Sequence, residues 1–189
     1  MIAQRFIGEN GFFIPSHHAS IMKDMDYESW YERISEPFRG DNAMRLVNVA
    51  DKAMVIVVAA VYIAVLAWLF FTGDGRLPRA VLVPMFTFAL VSVIRERIDA
   101  PRPYELYAID PIIFKDTRGK SFPSRHLASA VIIACALAWL NPVLGVLGFI
   151  CSIIVAFTRI VGGVHFPRDI AASIGIALAC GLVGFVIIP

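Results

Sequence analysis

Four stretches of this chain carry no charged side chain at all: Ala53 to Gly73, Ala80 to Ile94, Leu127 to Thr158 and Ile170 to Pro189. A helix needs about 20 apolar residues to cross a bilayer, with about 17–25 usual. The longest run holds Asn141-Pro142 in its middle, a turn signal that divides it into two helices. The pattern therefore predicts five spans, at about 53–72, 78–96, 125–140, 142–161 and 168–188. The second and third reach bilayer length only if their charged ends are counted. The competing reading, buried helices of a soluble core, fails because nothing else in the chain is large enough to surround five such helices. Composition agrees: 58% of residues are hydrophobic and mean hydropathy is +0.72, whereas a soluble domain is about half apolar. The expected fold is an all-α, polytopic membrane helical bundle.

Residues 1–52 read as a separate N-terminal segment, with 53–189 as the membrane-embedded domain. Tyr27, Trp30, Tyr31 and Ile34 recur at helical spacing with Glu28, Glu32 and Arg33 between them. This predicts a short amphipathic helix in the interface, where Trp and Tyr are favoured, ended by Pro37. Asp41 or Asn42 is placed to cap a second helix running into the first span. His17 and His18 read as solvated. Met1 to Pro15 lacks the apolar core and cleavage pattern of a signal peptide, so the first span is expected to target the chain itself. Cys135, Cys151 and Cys180 fall inside predicted spans without metal-type spacing, as small packing residues. A net charge of +2 points to no nucleic-acid partner.

The ionisable groups that remain are concentrated at span ends. Arg95 and Arg102 follow span two. Ser124, Arg125 and His126 open span three. Arg159 ends span four, and His165 and Asp169 open span five. An up-and-down bundle alternates direction, so all four ends lie on one face. Ionisable groups at membrane depth are costly and mark functional sites facing the bundle interior. The competing reading of each arginine is a lipid-headgroup anchor; the joint pattern is what argues against it.

A pocket of cations takes an anion, and guanidinium forks match phosphate oxygens. Two helix N-termini point to the same place: Pro123-Ser124 has the look of an N-cap, and Pro167 sits at a first helical position. Free backbone N–H groups there attract phosphate. A neutral imidazole can attack phosphorus without bringing negative charge towards a phosphate. Asp169, four residues after His165, can hold that ring in one tautomer. A second histidine, His126, can protonate the leaving oxygen. Arg95, Arg102 and Arg159 can neutralise the transferring group, and Gly162 and Gly163 let backbone pass beside it. No cluster of carboxylates or cysteines is present to hold a metal, and no cofactor is expected.

These residues resemble a family, the type 2 phosphatidic acid phosphatases, the membrane branch related to vanadium haloperoxidases. Its first motif is Lys, six residues, Arg-Pro; here Arg95, ERIDAP and Arg102-Pro103 stand in that place. Its second is Pro-Ser-Gly-His, matched by Pro123-Ser124-Arg125-His126. Its third is Ser-Arg, five residues, His, three residues, Asp, matched by Thr158-Arg159, IVGGV, His165, FPR and Asp169. The resemblance covers about residues 50–189. It implies that His165 is the nucleophile, forming a phosphohistidine, that Asp169 orients it, and that His126 protonates the leaving group. It further implies that Arg95, Arg102, Arg159 and Ser124 hold the phosphate, with no metal required. Arg95 in place of lysine keeps the charge, and Thr158 in place of serine keeps the hydroxyl. Arg125 replaces a glycine; its extra cation beside Ser124 and His126 is expected to favour a diphosphate or a bulkier acidic headgroup.

The expected substrate is a lipid phosphate whose tail stays in the bilayer: phosphatidic acid, phosphatidylglycerophosphate or, preferred here, a polyprenyl diphosphate. Lysine and arginine are more numerous on the site face than on the other, which the positive-inside rule assigns to the cytoplasm. Several of those arginines belong to the site itself, however, and the resemblance implies an outward-facing site in the cell membrane. Two rival readings are a protein that binds or transports a phosphate-bearing lipid without chemistry, which needs no His-Asp pair, and a membrane scaffold whose charges are headgroup anchors.

Overall fold

The computed structural model describes residues 27–187. The readings of His17, His18 and Met1 to Pro15 lie outside these residues. Residues 27–35 form helix α1 and run into a 3-10 turn, Glu36–Phe38, that holds Pro37. Then follow α2 (Asp41–Phe71), α3 (Leu77–Ile98), the short α4 (Pro103–Leu106), α5 (Arg125–Leu140), α6 (Pro142–Val161) and α7 (Pro167–Leu182), the last extended by a π-helical turn, Val183–Ile187. No strand occurs among the described residues. By length and composition, α2, α3, α6 and α7 with its extension are each long and apolar enough to cross a membrane.

All five expected helices are present, but among the described residues only four are long and apolar enough to cross a membrane: the expected third span, α5, has 16 residues. The first of the five starts ahead of the uncharged run. α2 begins at Asp41 with Gly40 as its N-cap residue and no side-chain cap, so neither Asp41 nor Asn42 caps it. It then continues unbroken through the 52/53 boundary drawn from the sequence. The acidic and basic residues before Ala53 did not end the helix because most of them face outward. Asp51 is the exception and is buried.

Helix α5 is the hub, packing against α2, α3, α6 and α7. Its sequence explains this. Ala128, Ala130, Ala134 and Ala136 alternate with Leu127, Val131, Ile132 and Leu137, and all eight are buried, so small residues admit neighbours on every side. Leu127, Val131, Ile132, Val155, Ile170 and Ala177 form the core shared by α5, α6 and α7. α2 instead turns Leu46, Val49, Ile56, Ile63, Trp68 and Phe71 outward, the apolar face of a helix that meets lipid. At about 1.5 Å per residue, the 16 residues of α5 span about 24 Å, short of the ~30 Å hydrocarbon thickness. The hub alone is therefore too short to cross the hydrocarbon.

The turn between α5 and α6 follows its sequence. The Asn141 side chain accepts from the N–H groups of Val143 (2.9 Å) and Leu144 (3.2 Å), and Pro142 occupies the first turn, where its missing N–H costs nothing. Just beyond, Gly145 lets α6 lie directly against the Ala138 backbone of α5.

Helix α1 packs on the protein. Tyr31 is fully buried, and its hydroxyl donates to Val161 O (3.0 Å) while accepting from Ile112 N–H (3.4 Å). Tyr27 stacks near Trp30, Tyr107 and Phe166. The aromatic stripe thus staples the tail to the turn between α6 and α7.

The α5–α6 contact yields a test. Gly145→Val should destabilise the protein by about 1–3 kcal/mol, as overpacking does, and lower the thermal midpoint in detergent. Gly175→Ala, where an added methyl meets open space, should leave the midpoint within error or raise it.

Candidate active site

The loop from Asp99 to Ser124 folds back over the ends of α3, α5, α6 and α7. Ser121 N–H bonds Ala100 O (2.8 Å) and Ile113 N–H bonds Gly162 O (3.1 Å). Glu105 Oε1 accepts from Arg102 N–H (3.0 Å) and Gly119 N–H (2.8 Å). These bonds let a long proline-bearing loop deliver Arg102 and Ser121 to one place.

His165 sits in the turn before α7, only 3% exposed. Its Nδ1 is 3.5 Å from Asp169 Oδ2. Asp169 is fully buried, and the same oxygen accepts from Ser121 Oγ (2.5 Å) and Phe166 N–H (3.0 Å). Ser121 Oγ in turn lies 3.4 Å from His165 Nδ1. With its own proton given to the carboxylate, this hydroxyl can accept from Nδ1–H. Both neighbours favour the tautomer protonated on Nδ1, which leaves the Nε2 lone pair free. Burial pushes the imidazolium pKa down to about 4 from its ordinary 6.5; Asp169 opposes this, and Arg102 and Arg159 add to it.

Around this ring lie the three arginines, all buried. Arg95 Nη1 donates to Pro123 O (2.5 Å). Arg102 donates through Nε to Gly119 O (3.1 Å) and through Nη1 to Val164 O (3.5 Å), one residue from the histidine. Arg159 Nε lies 2.8 Å from Asp51 Oδ1. Its N–H is not aimed along that line, so the contact is an ion pair without a well-directed hydrogen bond. Ser124 is the N-cap residue of α5, but its hydroxyl caps nothing. Its backbone N–H is taken by Ser173 Oγ (2.7 Å). Ser124 Oγ and Arg159 Nη1 are buried donors with no hydrogen-bond partner. Buried donors are almost always satisfied, so these two are free to meet an incoming acceptor; Asp169 Oδ1 is likewise buried without a hydrogen bond.

His126 and Arg125 stand apart from this buried set. Both are exposed. They form the polar end of a groove of about 330 Å³ whose walls include Val55, Val58 and Ala59 of α2, Phe88 of α3 and Ile133 of α5. The Arg125 guanidinium rests over the Phe88 ring at 5.4 Å, at the rim of the groove. The sequence-predicted residues are thus brought to one end of the bundle in two tiers: His165, Asp169, Ser124 and the three arginines inside, His126 and Arg125 at the opening.

Four contributors had not been singled out from the sequence. Ser121 and Ser173 carry no signal beyond being hydroxyls near the second and third motifs. Asp51 did carry one, as an acid two residues ahead of the first uncharged run. Lys115, half-buried in the loop, has its pKa pushed down to about 8, by burial first and then by Arg159, Arg102 and Arg95, against the pull of Asp51. Among the described residues no three His, Cys, Asp or Glu side chains gather as a metal site would require.

Comparison with known proteins places this geometry. A model of the PAP2 superfamily matches residues 76–189. The undecaprenyl-diphosphatase BcrC of Bacillus subtilis (strain 168) is 29% identical over 147 residues, 73% of this chain and 75% of that protein. The crystal structure of Aquifex aeolicus LpxE superposes with a TM-score of 0.66 at 23% identity, over 82% of this chain and 92% of that one. That of the first transmembrane PAP2-type phosphatidylglycerolphosphate phosphatase from Bacillus subtilis does so with a TM-score of 0.60 at 19% identity, over 88% of each chain. At these identities the two structures establish a shared fold.

The buried histidine makes stability depend on pH in a set direction. Its folded pKa is depressed, so between about 4 and 6.5 the unfolded chain binds a proton that the folded site refuses. Stability then rises with pH through that window and levels off above it. In urea or thermal unfolding across the window, His165→Gln should flatten this slope.

Proposed function

The chain belongs to the PAP2 superfamily, and from that premise we propose that it is an integral-membrane lipid phosphate phosphatase working through a phosphohistidine. The observation that carries the reading is the pairing in one buried place of a neutral, carboxylate-held His165 with orphaned donors on Ser124 and Arg159. Headgroup anchors would point outward to the interface, and a passive lipid-binding site has no use for a histidine oriented by Asp169 and Ser121.

In this mechanism the substrate phosphate enters the seat among Arg95, Arg102, Arg159 and Ser124. His165 Nε2 attacks phosphorus and forms a P–N bond as the P–O bond to the leaving group breaks. His126, in its protonated form, gives a proton to the departing oxygen. The positive ring formed at His165 is stabilised by Asp169 through Nδ1–H. Water then attacks the phosphohistidine, with the now neutral His126 taking a proton from it, and inorganic phosphate leaves. The arginines neutralise charge on the oxygens of the transferring group, the main requirement of phosphoryl transfer.

The groove ending at His126 supports a substrate whose leaving group carries a hydrocarbon tail. Its walls are apolar and lie between α2, α3 and α5, so a lipid can remain in the bilayer while its headgroup reaches the buried seat. We assign the substrate as a polyprenyl diphosphate. The support is the likeness to an undecaprenyl-diphosphatase and the two further cations, Arg125 and Lys115, beyond the three that hold one phosphate. We place the site on the outer face of the cell membrane. Arg95, Arg102 and Arg159 are buried in the pocket, which removes them from the count of loop charges that sets orientation.

A panel of polyprenyl diphosphate, polyprenyl monophosphate, phosphatidic acid and phosphatidylglycerophosphate, assayed in chelator, tests the reading directly. Phosphate release should persist, fall to background in His165→Ala and His126→Ala, and drop about 10²–10³-fold in Arg159→Ala, the usual cost of one lost anion donor. Full activity in His165→Ala would discard the nucleophile assignment. Arg125→Gly separates the substrates: the ratio of diphosphate to monophosphate turnover should fall, and an unchanged ratio removes Arg125 from the choice of substrate.

A further inference from the structure

Asp51 lies ten residues into α2, in a helix that otherwise shows its apolar face to lipid, and is only 4% exposed. It falls outside residues 76–189, the stretch matched by the family. An isolated carboxylate at this depth is costly unless paired. Its partners are Arg159 Nε at 2.8 Å and Thr158 Oγ1, which donates to the same oxygen at 3.2 Å. The Thr158 hydroxyl also sits 3.0 Å from Val155 O, so it is held between α6 and α2.

The orientation of this pair bears on the chemistry. A guanidinium offers donors along more than one edge. Asp51 Oδ1 lies 2.8 Å from Arg159 Nε as an ion pair, though that N–H is not aimed at it, while Nη1 is buried with no hydrogen-bond partner. The Nε side of the fork is therefore held by charge from a helix remote in sequence, and Nη1 is left for an incoming anion. A pair serving only to join α2 to α6 would have no need of an orphaned donor beside the reacting histidine.

We propose that Asp51 is a positioning residue for the reaction: it holds Arg159 by its Nε edge so that Nη1 meets the transferring phosphate. The inference rests on the phosphatase reading above. It makes α2 part of the active site, so that the catalytic unit begins ahead of residue 53.

The experiment compares Asp51→Asn, Arg159→Met and the double variant in detergent, reading kcat and KM on polyprenyl diphosphate per folded protein. Binding of orthovanadate, a phosphate mimic, is followed in parallel by vanadium NMR. Misplacing a catalytic group by about 1 Å can cost about 10²-fold. Asp51→Asn should lower kcat by about that factor with a much smaller change in KM, and should weaken vanadate binding. The double variant should be no worse than Arg159→Met, because residues acting as a unit are not additive. A merely structural role would lower the yield or thermal midpoint of Asp51→Asn while leaving kcat and vanadate affinity per folded molecule at wild-type values, and would overturn the proposal. Should Asp51→Asn not fold, since it leaves a buried guanidinium unpaired, Asp51→Glu, which keeps the charge but moves it, takes its place. Lowered kcat and weaker vanadate binding per folded molecule support the proposal, and wild-type values overturn it. Wild-type protein that hydrolyses no lipid phosphate would refute the phosphatase reading by itself, while vanadate affinity still reports whether Asp51 shapes the seat.

Discussion

Cations removed from water at the end of a membrane bundle set the terms for everything else in this structure. Arg95, Arg102 and Arg159 are all at least nine-tenths buried, and a buried charge persists only when paired or well hydrogen-bonded. Each has a different solution. Arg95 leans on a carbonyl of the loop, Arg102 on two carbonyls, and Arg159 on Asp51. Two buried carboxylates, Asp51 and Asp169, face three guanidiniums and a half-buried lysine, so the cluster retains positive charge. That surplus favours an anion. The fold maintains it because the five helices and the loop hold the cations too firmly to swing out to water.

The shape of the bundle follows from α5. An alanine-rich helix of 16 residues is too short to match its neighbours and narrow enough to be surrounded by them. His126, near its start, lines a groove whose walls come from α2, α3 and α5. The buried seat and the apolar groove thus meet at the start of this one helix. A phosphate attached to a long hydrocarbon is the ligand for which both are useful at once.

Most of this arrangement was legible in the sequence. Uncharged runs and a single Asn-Pro turn located all five helices to within a residue or two except the start of α2. Alternation of direction brought the motif residues to one end of the bundle. At α2 the uncharged run alone begins only at Ala53, because Asp51 and Lys52 look like the edge of a span; the helix expected from Asp41 or Asn42 runs into it without a break, through charges that face outward or find a partner. Asp51 itself was hidden because its partner Arg159 is 108 residues away in sequence and could be found only by folding. Ser121 was hidden for a different reason. A serine in a proline-rich loop has no periodicity to betray it, and its link to Asp169 depends on a web of backbone bonds from Ala100, Arg102 and Gly119.

The division of labour between the two carboxylates resolves a conflict within the site. Cations that attract a phosphate also raise the cost of protonating any histidine among them, and Arg102 and Arg159 help to hold His165 neutral. In the proposed mechanism neutrality is what His165 needs before attack, but once its nitrogen bonds to phosphorus the ring becomes cationic in the same crowded field. Asp169, at Nδ1, is the group placed to offset that charge as it develops. Asp51, on the far edge of Arg159, offsets a charge that is present throughout. A single carboxylate placed between histidine and arginine would quench the seat before substrate arrived. Two carboxylates, one beside His165 and one beside Arg159, are outnumbered by the guanidiniums, and the surplus leaves positive charge for the proposed phosphate.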